Sequence, residues 1–319
     1  CSYMLGARGA VSVFFTVLFL FSSIPIIGAQ DDDSSYVRAE SLIVVVHGNV
    51  SHDSGAYTQG LEFYEGRLFE STGLYESSTL REVNLSTGSV IRSLDLNASE
   101  FGEGITFVDD EIIQLTWQEG IAYRYHMDTF AIVANYTYEG KGWGLAYDGQ
   151  QLIMSDGTDV LTLRNATTFE IEGTLNVTLN GEPLSKINEM EMWEGILLAN
   201  VYQTEEIVGI DLNSGVVILH IDADGLRPPG AGVLNGIAFD SSTQSLWVTG
   251  KEWPVMYNIT FVEPPLPPEP EPEVESPSSE ENSLYSHALL AILLATVVIL
   301  MAMNLKDGGR NPPHEGASE

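Results

Sequence analysis

Cysteine is all but absent from this chain: the one copy is Cys1, ahead of Met4, a candidate start. A mature chain without cysteine has no disulfides, no thiolate nucleophile and no Cys-type zinc site. Basic residues are scarce too, 13 Lys and Arg against 45 Asp and Glu, for a formal net charge of −32. Such a surface repels phosphate backbones and excludes nucleic acid as a partner. Histidines His47, His52, His126 and His220 are scattered, without the spacing of a metal-ligand pair. Sustained helical periodicity is missing from the central part of the chain, which argues against a helical or α/β core.

What is present is a line that recurs five times. It reads QGLEFYEGRLFESTG, EGITFVDDEIIQLTW, WGLAYDGQQLIMSDG, NEMEMWEGILLANVY and NGIAFDSSTQSLWVTG, starting at residues 59, 103, 143, 188 and 235. Each line is an alternating apolar run, a turn rich in Asp, Glu, Gly or Ser, and a second apolar run. Further strand pairs follow, such as LREVNL and VIRSLDL around Ser86-Thr87-Gly88. A repeat of 40 to 47 residues with up to four short strands predicts an all-β chain folded as a five-bladed β-propeller. After the fifth line only one good strand remains, at 255–261, and the β-prone SLIVVVHGNV at 41–50 is free to complete that blade. Closing the last blade with the N-terminal strand removes exposed edges.

The remaining segments have their own chemistry. Residues 1–29 read as a signal peptide, with Arg8, an apolar run at 11–21 and Ile27-Gly28-Ala29 as a cleavage site; an uncleaved anchor is the alternative. Cleavage there would expose Gln30. Residues 30–40 form a polar lead-in, 41–261 the propeller, 262–283 a Pro/Glu-rich stalk, 284–305 a transmembrane helix and 306–319 a short polar tail. A GPI signal is the rival reading of the C-terminus, but a polar tail follows the apolar run. Seven Asn-X-Ser/Thr sequons, at Asn49, Asn84, Asn97, Asn135, Asn165, Asn176 and Asn258, fit a lumenal or extracellular domain. The expectation is a monomeric, single-pass type I membrane glycoprotein of the secretory pathway or cell surface.

In a propeller, equivalent ends of the innermost strands meet around one channel. The first positions of the five lines are Gln59, Glu103, Trp143, Asn188 and Asn235; the far ends of the paired strands add Thr72, Trp117, Asp156, Tyr202 and Lys251. A carboxylate, amides, a lysine and large aromatics at one mouth make a small-molecule pocket. The same residues could instead only satisfy backbone groups around a protein-binding channel. Carboxylates, amides and carbonyls on the axis also leave room for a structural Ca²⁺.

Seven segments carry a resemblance. HDSGAYTQGL at 52–61, FGEGIT at 101–106, GWGLAYDG at 142–149, INEMEM at 187–192, NVYQTEEIVGIDLNSG at 200–215, LNGIAFD at 234–240 and VTGKEWPVMYNI at 248–259 resemble the plant-type glutaminyl-peptide cyclotransferases, in order and without large gaps. The resemblance implies a five-bladed propeller that converts N-terminal glutamine of peptides and proteins to pyroglutamate with release of ammonia, an aminoacyl transfer needing no cofactor. It implies that Glu103, in the family's F-x-E-G segment, is the catalytic proton relay. It implies that Gln59, Trp117, Trp143, Asn188 and Lys251 bind substrate. Two positions depart from the family: Tyr57 stands where it has Phe, and Tyr202 where a Trp is expected. Both are expected to line the substrate site, with Tyr202 reshaping one wall. The alternatives are a binding propeller that has lost turnover, and a calcium-dependent lactonase-like propeller. The latter would need more channel carboxylates than Glu103 and Asp156.

Overall fold

Alternating apolar residues that are β-branched or aromatic favour extended chain, and paired strands with one apolar face must stack on another sheet. A computed structural model of the protein describes residues 36–266 and 279–307, with side chains at 36–266 and 283–303. The expected signal segment, the greater part of the Pro/Glu-rich stretch and the tail from residue 308 lie outside the described residues. The chain divides into two units, Cys1–Pro264 and Pro265–Glu319.

The first unit is all-β. After β1 (Glu40–Ser51), the strands β2 (Thr58–Tyr64), β3 (Arg67–Thr72), β4 (Thr79–Val83) and β5 (Val90–Asp95) form a four-stranded antiparallel sheet in sequence order. So do β6 (Gly102–Val108), β7 (Glu111–Thr116), β8 (Ile121–His126) and β9 (Ile132–Thr137). The third such sheet is β10 (Leu145–Tyr147), β11 (Gln151–Met154), β12 (Val160–Asn165) and β13 (Ile171–Asn176). A two-residue pair follows, β14 (Thr178–Leu179) with β15 (Glu182–Pro183). The fourth set is β16 (Ile187–Trp193), β17 (Ile196–Val201), β18 (Glu206–Ile210) and β19 (Val217–Asp222); the fifth is β20 (Leu234–Asp240), β21 (Ser245–Gly250) and β22 (Val255–Val262). Each recurrent line is thus a hairpin of the first two strands of its set.

Strand β1 joins the fourth and fifth sets into one eight-stranded sheet, ordered β16-β17-β18-β19-β1-β22-β21-β20. It pairs antiparallel with β22 along Ile43 to Ser51, and in parallel with β19 along Glu40 to Ile43. The pairing with β22 was legible in the sequence; the pairing with β19 was not. The first strands of the five sets touch in cyclic order: β2 lies against β6, β6 against β10, β10 against β16, β16 against β20, and β20 against β2.

The core sits between sheet faces rather than at one centre. Phe69 and Leu80 of the first sheet, for example, pack on Ile105, Phe107, Ile112 and Tyr125 of the second. Side chains of this size contribute about 1.5–3 kcal/mol each on full burial. The outer hairpins turn alike: Gly88, Phe130, Phe169 and Gly215 donate back to the carbonyls of Asn84, His126, Asn165 and Asp211 at 2.8–2.9 Å. Phe130 and Phe169 hold positive φ there, and both rings are buried, which offsets the strain.

The second unit contains α1 (Ser279–Asp307), in which Ser283–Met303 is 21 residues of mean hydropathy 2.4, long and apolar enough to cross a membrane. Of the expected 262–283 stalk, Val262 lies in β22 and the residues from Ser279 onward lie in α1.

Candidate active site

The residues that open the recurrent lines sit where the strand ladders break. The register between first and second strands shifts between Thr58 and Gly60, between Gly102 and Ile105, between Ile187 and Met190, and between Leu234 and Ile237. Gln59, Glu103, Asn188 and Asn235 fall inside these breaks, and Trp143 lies two residues ahead of β10. A bulge takes a side chain out of the pleat and re-aims it. The strands approach closely at the same level. A Cβ on Gly144 would stand 1.9 Å from the carbonyl oxygen of Asn188, so only glycine fits beside it.

A cavity of about 230 Å³ is lined by Tyr57, Gln59, Phe101, Glu103, Trp117, Trp143, Asn188, Tyr202 and Lys251. The structure therefore brings all eight sequence-derived site residues together. It adds Phe101, which stood in the FGEGIT segment but was not singled out. Other ring positions do different work. Asn235 is buried and its amide donates to the Thr58 carbonyl (2.9 Å) and to Gln59 Oε1 (3.2 Å), which leaves the Gln59 NH₂ as a donor to the cavity. The Thr72 hydroxyl pairs with that of Thr79, and Asp156 accepts from the backbone and hydroxyl of Thr158.

The walls are aromatic. Phe101 packs edge-on with Tyr57 (6.1 Å between centroids) and tilted against Trp117 (5.6 Å). Opposite, Trp143 and Tyr202 meet edge-to-face at 5.3 Å. Gly157, at φ 87°, lets the Trp143 ring lie on the backbone; a Cβ there would come within 2.6 Å of it. Lys251 Nζ stands 4.6 Å from the Tyr57 ring centroid and 5.2 Å from that of Tyr202. Tyr57 and Tyr202 therefore flank one cation.

Glu103 is 3% exposed, and its Oε2 is buried without a hydrogen-bond partner. Burial pushes its pKa well above the ordinary carboxylate value; the Lys251 charge opposes this and Glu119 adds to it. Burial also pulls Lys251 down to about 8, with Glu103 opposing. No ion pair within 4.0 Å joins them. An unpartnered carboxyl facing an open cavity is poised to exchange a proton with whatever enters.

Two loops that carry site residues are tied by a buried network. His52 bonds the Trp253 carbonyl through Nδ1 (2.8 Å) and Glu70 through Nε2 (3.0 Å), and Glu70 also takes the Arg81 guanidinium (2.8 Å) and the Thr58 hydroxyl (2.7 Å). Burial raises the Glu70 pKa, but His52 and Arg81 outweigh it and hold the carboxyl at about 2. Burial lowers the His52 pKa, and Glu70 more than reverses this, so the imidazole titrates above its ordinary value. The Glu252 amide donates to the Ala56 carbonyl, which adds a second tie between the Tyr57 and Lys251 loops.

Farther along the inner strands, Glu62, Glu189 and Glu191 are carboxyls that the recurrent pattern did not single out. Glu189 accepts from the amides of Ile237 (2.9 Å) and Leu61 (3.4 Å), bridging β16 to both β20 and β2. Glu62 accepts from the Thr106 hydroxyl and the Phe107 amide of β6. These acids serve backbone donors. Among the described residues no group of three or more His, Cys, Asp or Glu is placed to hold a metal ion.

Comparison with known proteins gives a consistent picture. A model of the glutamine cyclotransferase family matches residues 20–261. The glutaminyl-peptide cyclotransferase of Arabidopsis thaliana is 38% identical over 218 residues, covering 65% of this chain and 68% of the relative. The crystal structure of Myxococcus xanthus glutaminyl cyclase superposes with a TM-score of 0.66 at 31% identity, covering 70% of this chain and 98% of that one.

Proposed function

The chain belongs to the glutamine cyclotransferase family, and from that premise we propose that it cyclises N-terminal glutamine of peptides and proteins to pyroglutamate, releasing ammonia, within a five-bladed propeller. The cyclic contact order of the five first strands supports the propeller. The observation that carries the activity is the unpartnered, buried Glu103 carboxyl in an aromatic cavity.

The α-nitrogen of the substrate attacks its own γ-carboxamide carbon. A C–N bond forms, the carbonyl π pair moves to oxygen, and the tetrahedral intermediate expels the amide nitrogen. Glu103 takes the proton that the attacking nitrogen loses and gives it to the departing nitrogen as ammonia, so no net proton is consumed. Its raised pKa brings it toward that of an amine, which suits both transfers. The Gln59 NH₂, Asn188 and Lys251 supply donors for the transient oxyanion. Trp117, Trp143, Phe101 and the Tyr57 and Tyr202 rings hold the glutamine side chain curled on itself, lowering the entropic barrier to ring closure.

No step calls for a metal. Residues 1–29 direct the chain to the secretory pathway, 41–261 form a monomeric catalytic domain and α1 anchors it as a type I protein, with the domain on the lumenal or extracellular side. The apolar span and the seven sequons support this reading.

The test is mass spectrometry of a short peptide with N-terminal glutamine, incubated with the purified full-length protein. Expected is a loss of 17 Da, the mass of ammonia, that survives chelation and falls at least about 100-fold in Glu103→Gln. Undiminished turnover in a folded Glu103→Gln protein sinks the relay; no turnover by the unaltered protein sinks the enzyme reading and leaves a binding propeller.

A further inference from the structure

A strand with a neighbour on one side only presents unpaired N–H and C=O groups and invites edge-to-edge association. Strands β5, β9 and β13 each pair on one side only. Their exposure patterns are identical along the six residues, and they leave Ile91, Ile132, Val133 and Ile171 about half exposed or more. A fourth free edge is part of β1: Glu40 to Ile43 pair with β19 on one side, whereas Val44 to Ser51 pair only with β22. Strand β19 is covered by β1 along Leu219 to Asp222.

The sequons follow this division. Asn135 lies in β9, Asn176 in β13, Asn97 two residues beyond β5 and Asn49 in the free part of β1; all four are exposed. Strand β19 carries none. Asn84, Asn165 and Asn258 are half-buried. Asn84 and Asn165, like Asn97, accept from the backbone of the turns they open, but the Asn165 amide also donates to Glu172 at 2.8 Å. Asn258 lies in β22, flanked by β21 and β1.

We propose that Asn49, Asn97, Asn135 and Asn176 are N-glycosylation sites whose sugars guard these four outer edges, away from the first strands of the sets, one glycan to each edge. The modification joins Asn Nδ2 to C1 of the first sugar of a dolichol-diphosphate-linked oligosaccharide. The C1–O bond to diphosphate breaks, and the amide proton leaves with the diphosphate. A hydrated oligosaccharide beside an edge strand bars a second strand from the ladder without altering the sheet. The proposal rests on entry into the secretory pathway and is independent of the catalytic assignment.

The experiment expresses the full chain in a secretory eukaryotic host. Peptide mass spectrometry after enzymatic deglycosylation, which turns each modified Asn into Asp, reads occupancy at all seven sites. Expected is modification at the four edge asparagines. The folded, purified protein is then trimmed to one sugar per site and followed by light scattering, beside a triple variant, Ile91→Lys, Val133→Lys and Ile171→Lys, trimmed identically. The expected result is a several-fold faster growth of oligomers after trimming, largely suppressed in the lysine variant. A second arm compares loss of the edge sequons (Ser51→Ala, Ser99→Ala, Thr137→Ala, Thr178→Ala) with loss of the others (Ser86→Ala, Thr167→Ala, Thr260→Ala); only the first set should associate. Unmodified edge asparagines, with or without modification elsewhere, overturn the proposal. So does a trimmed protein that stays as monomeric as the untrimmed one.

Discussion

Glu103 and Lys251 share one cavity without touching, and each is displaced from its ordinary pKa by the burial that the other partly offsets. Lys251→Met removes the charge that restrains the Glu103 shift, so the carboxyl pKa rises further. The acid limb of the pH profile of kcat/KM should move to higher pH, and any alkaline limb near 8 that belongs to Lys251 should vanish. A profile that does not move would separate Lys251 from the proton chemistry. Tyr202 works through its ring, against Trp143 and Lys251. Tyr202→Phe should therefore stay within about twofold of the unaltered kcat/KM, while Tyr202→Ala should lose about 1–2 kcal/mol, read from the same kinetics. At this scale the sequence was most legible: one carboxylate, two amides, a lysine, Trp117, Trp143 and Tyr202 could be named from recurring positions, and Tyr57 from the resemblance. Phe101 was not, because it precedes its line rather than opening it. Glu62 and Glu191 were not either, because an acid among alternating residues reads as solvent-facing until the neighbouring strand is in place.

The inner strands are the elements that place the site, and they are held by two unlike devices. One is close backbone approach: Gly144→Ala would push a methyl group into the Asn188 carbonyl, at an overpacking cost of about 1–3 kcal/mol, and displace a pocket residue. A lowered Tm together with a raised KM is the expected pair of readings. The other is the set of buried carboxyls. Burial raises the pKa of Glu62 to about 8, and those of Glu189 and Glu191 well above 4.5. The folded state holds these protons more tightly than the unfolded chain, so their contribution is full at low pH and is lost as pH rises from about 4.5 through about 8. Glu70, held at about 2, has the opposite sign: its contribution is present above about 4.5 and lost as pH falls toward 2. Tm measured against pH should peak in mildly acidic buffer. Glu62→Gln keeps an acceptor for the Phe107 amide and should flatten the alkaline fall. Hairpins were legible as elements because their turns and alternation are local. The bulges were not, since a ladder break is defined only by the partner strand.

For the whole molecule, the sequence disclosed five repeats and an N-terminal strand to complete the last of them, because a missing strand leaves a countable gap. It did not disclose that β1 also reaches β19, a contact between strands about 180 residues apart that no local pattern encodes. The apolar helix contributes no strand and no pocket-lining residue. A chain ending at Leu266 keeps every strand and every site residue. It should partition into the aqueous phase on detergent phase separation with unchanged kcat/KM, while the full chain partitions with the detergent. A truncated chain that still enters the detergent phase would assign membrane affinity to an uncleaved N-terminal segment or to the β-domain.

Strand β1 also sets a timetable for synthesis. Its two partners, β19 and β22, belong to the last two sets to be made, so the first of these strands to emerge is among the last to complete its pairing. At roughly 5–20 residues per second, β1 waits on the order of 10–40 s as an unpaired, largely apolar ribbon while the intervening strands are translated. Moving this segment behind β22 by circular permutation would abolish the delay. Refolding of the unpermuted domain, where both ends are present from the start, should be less prone to misassembly than its synthesis.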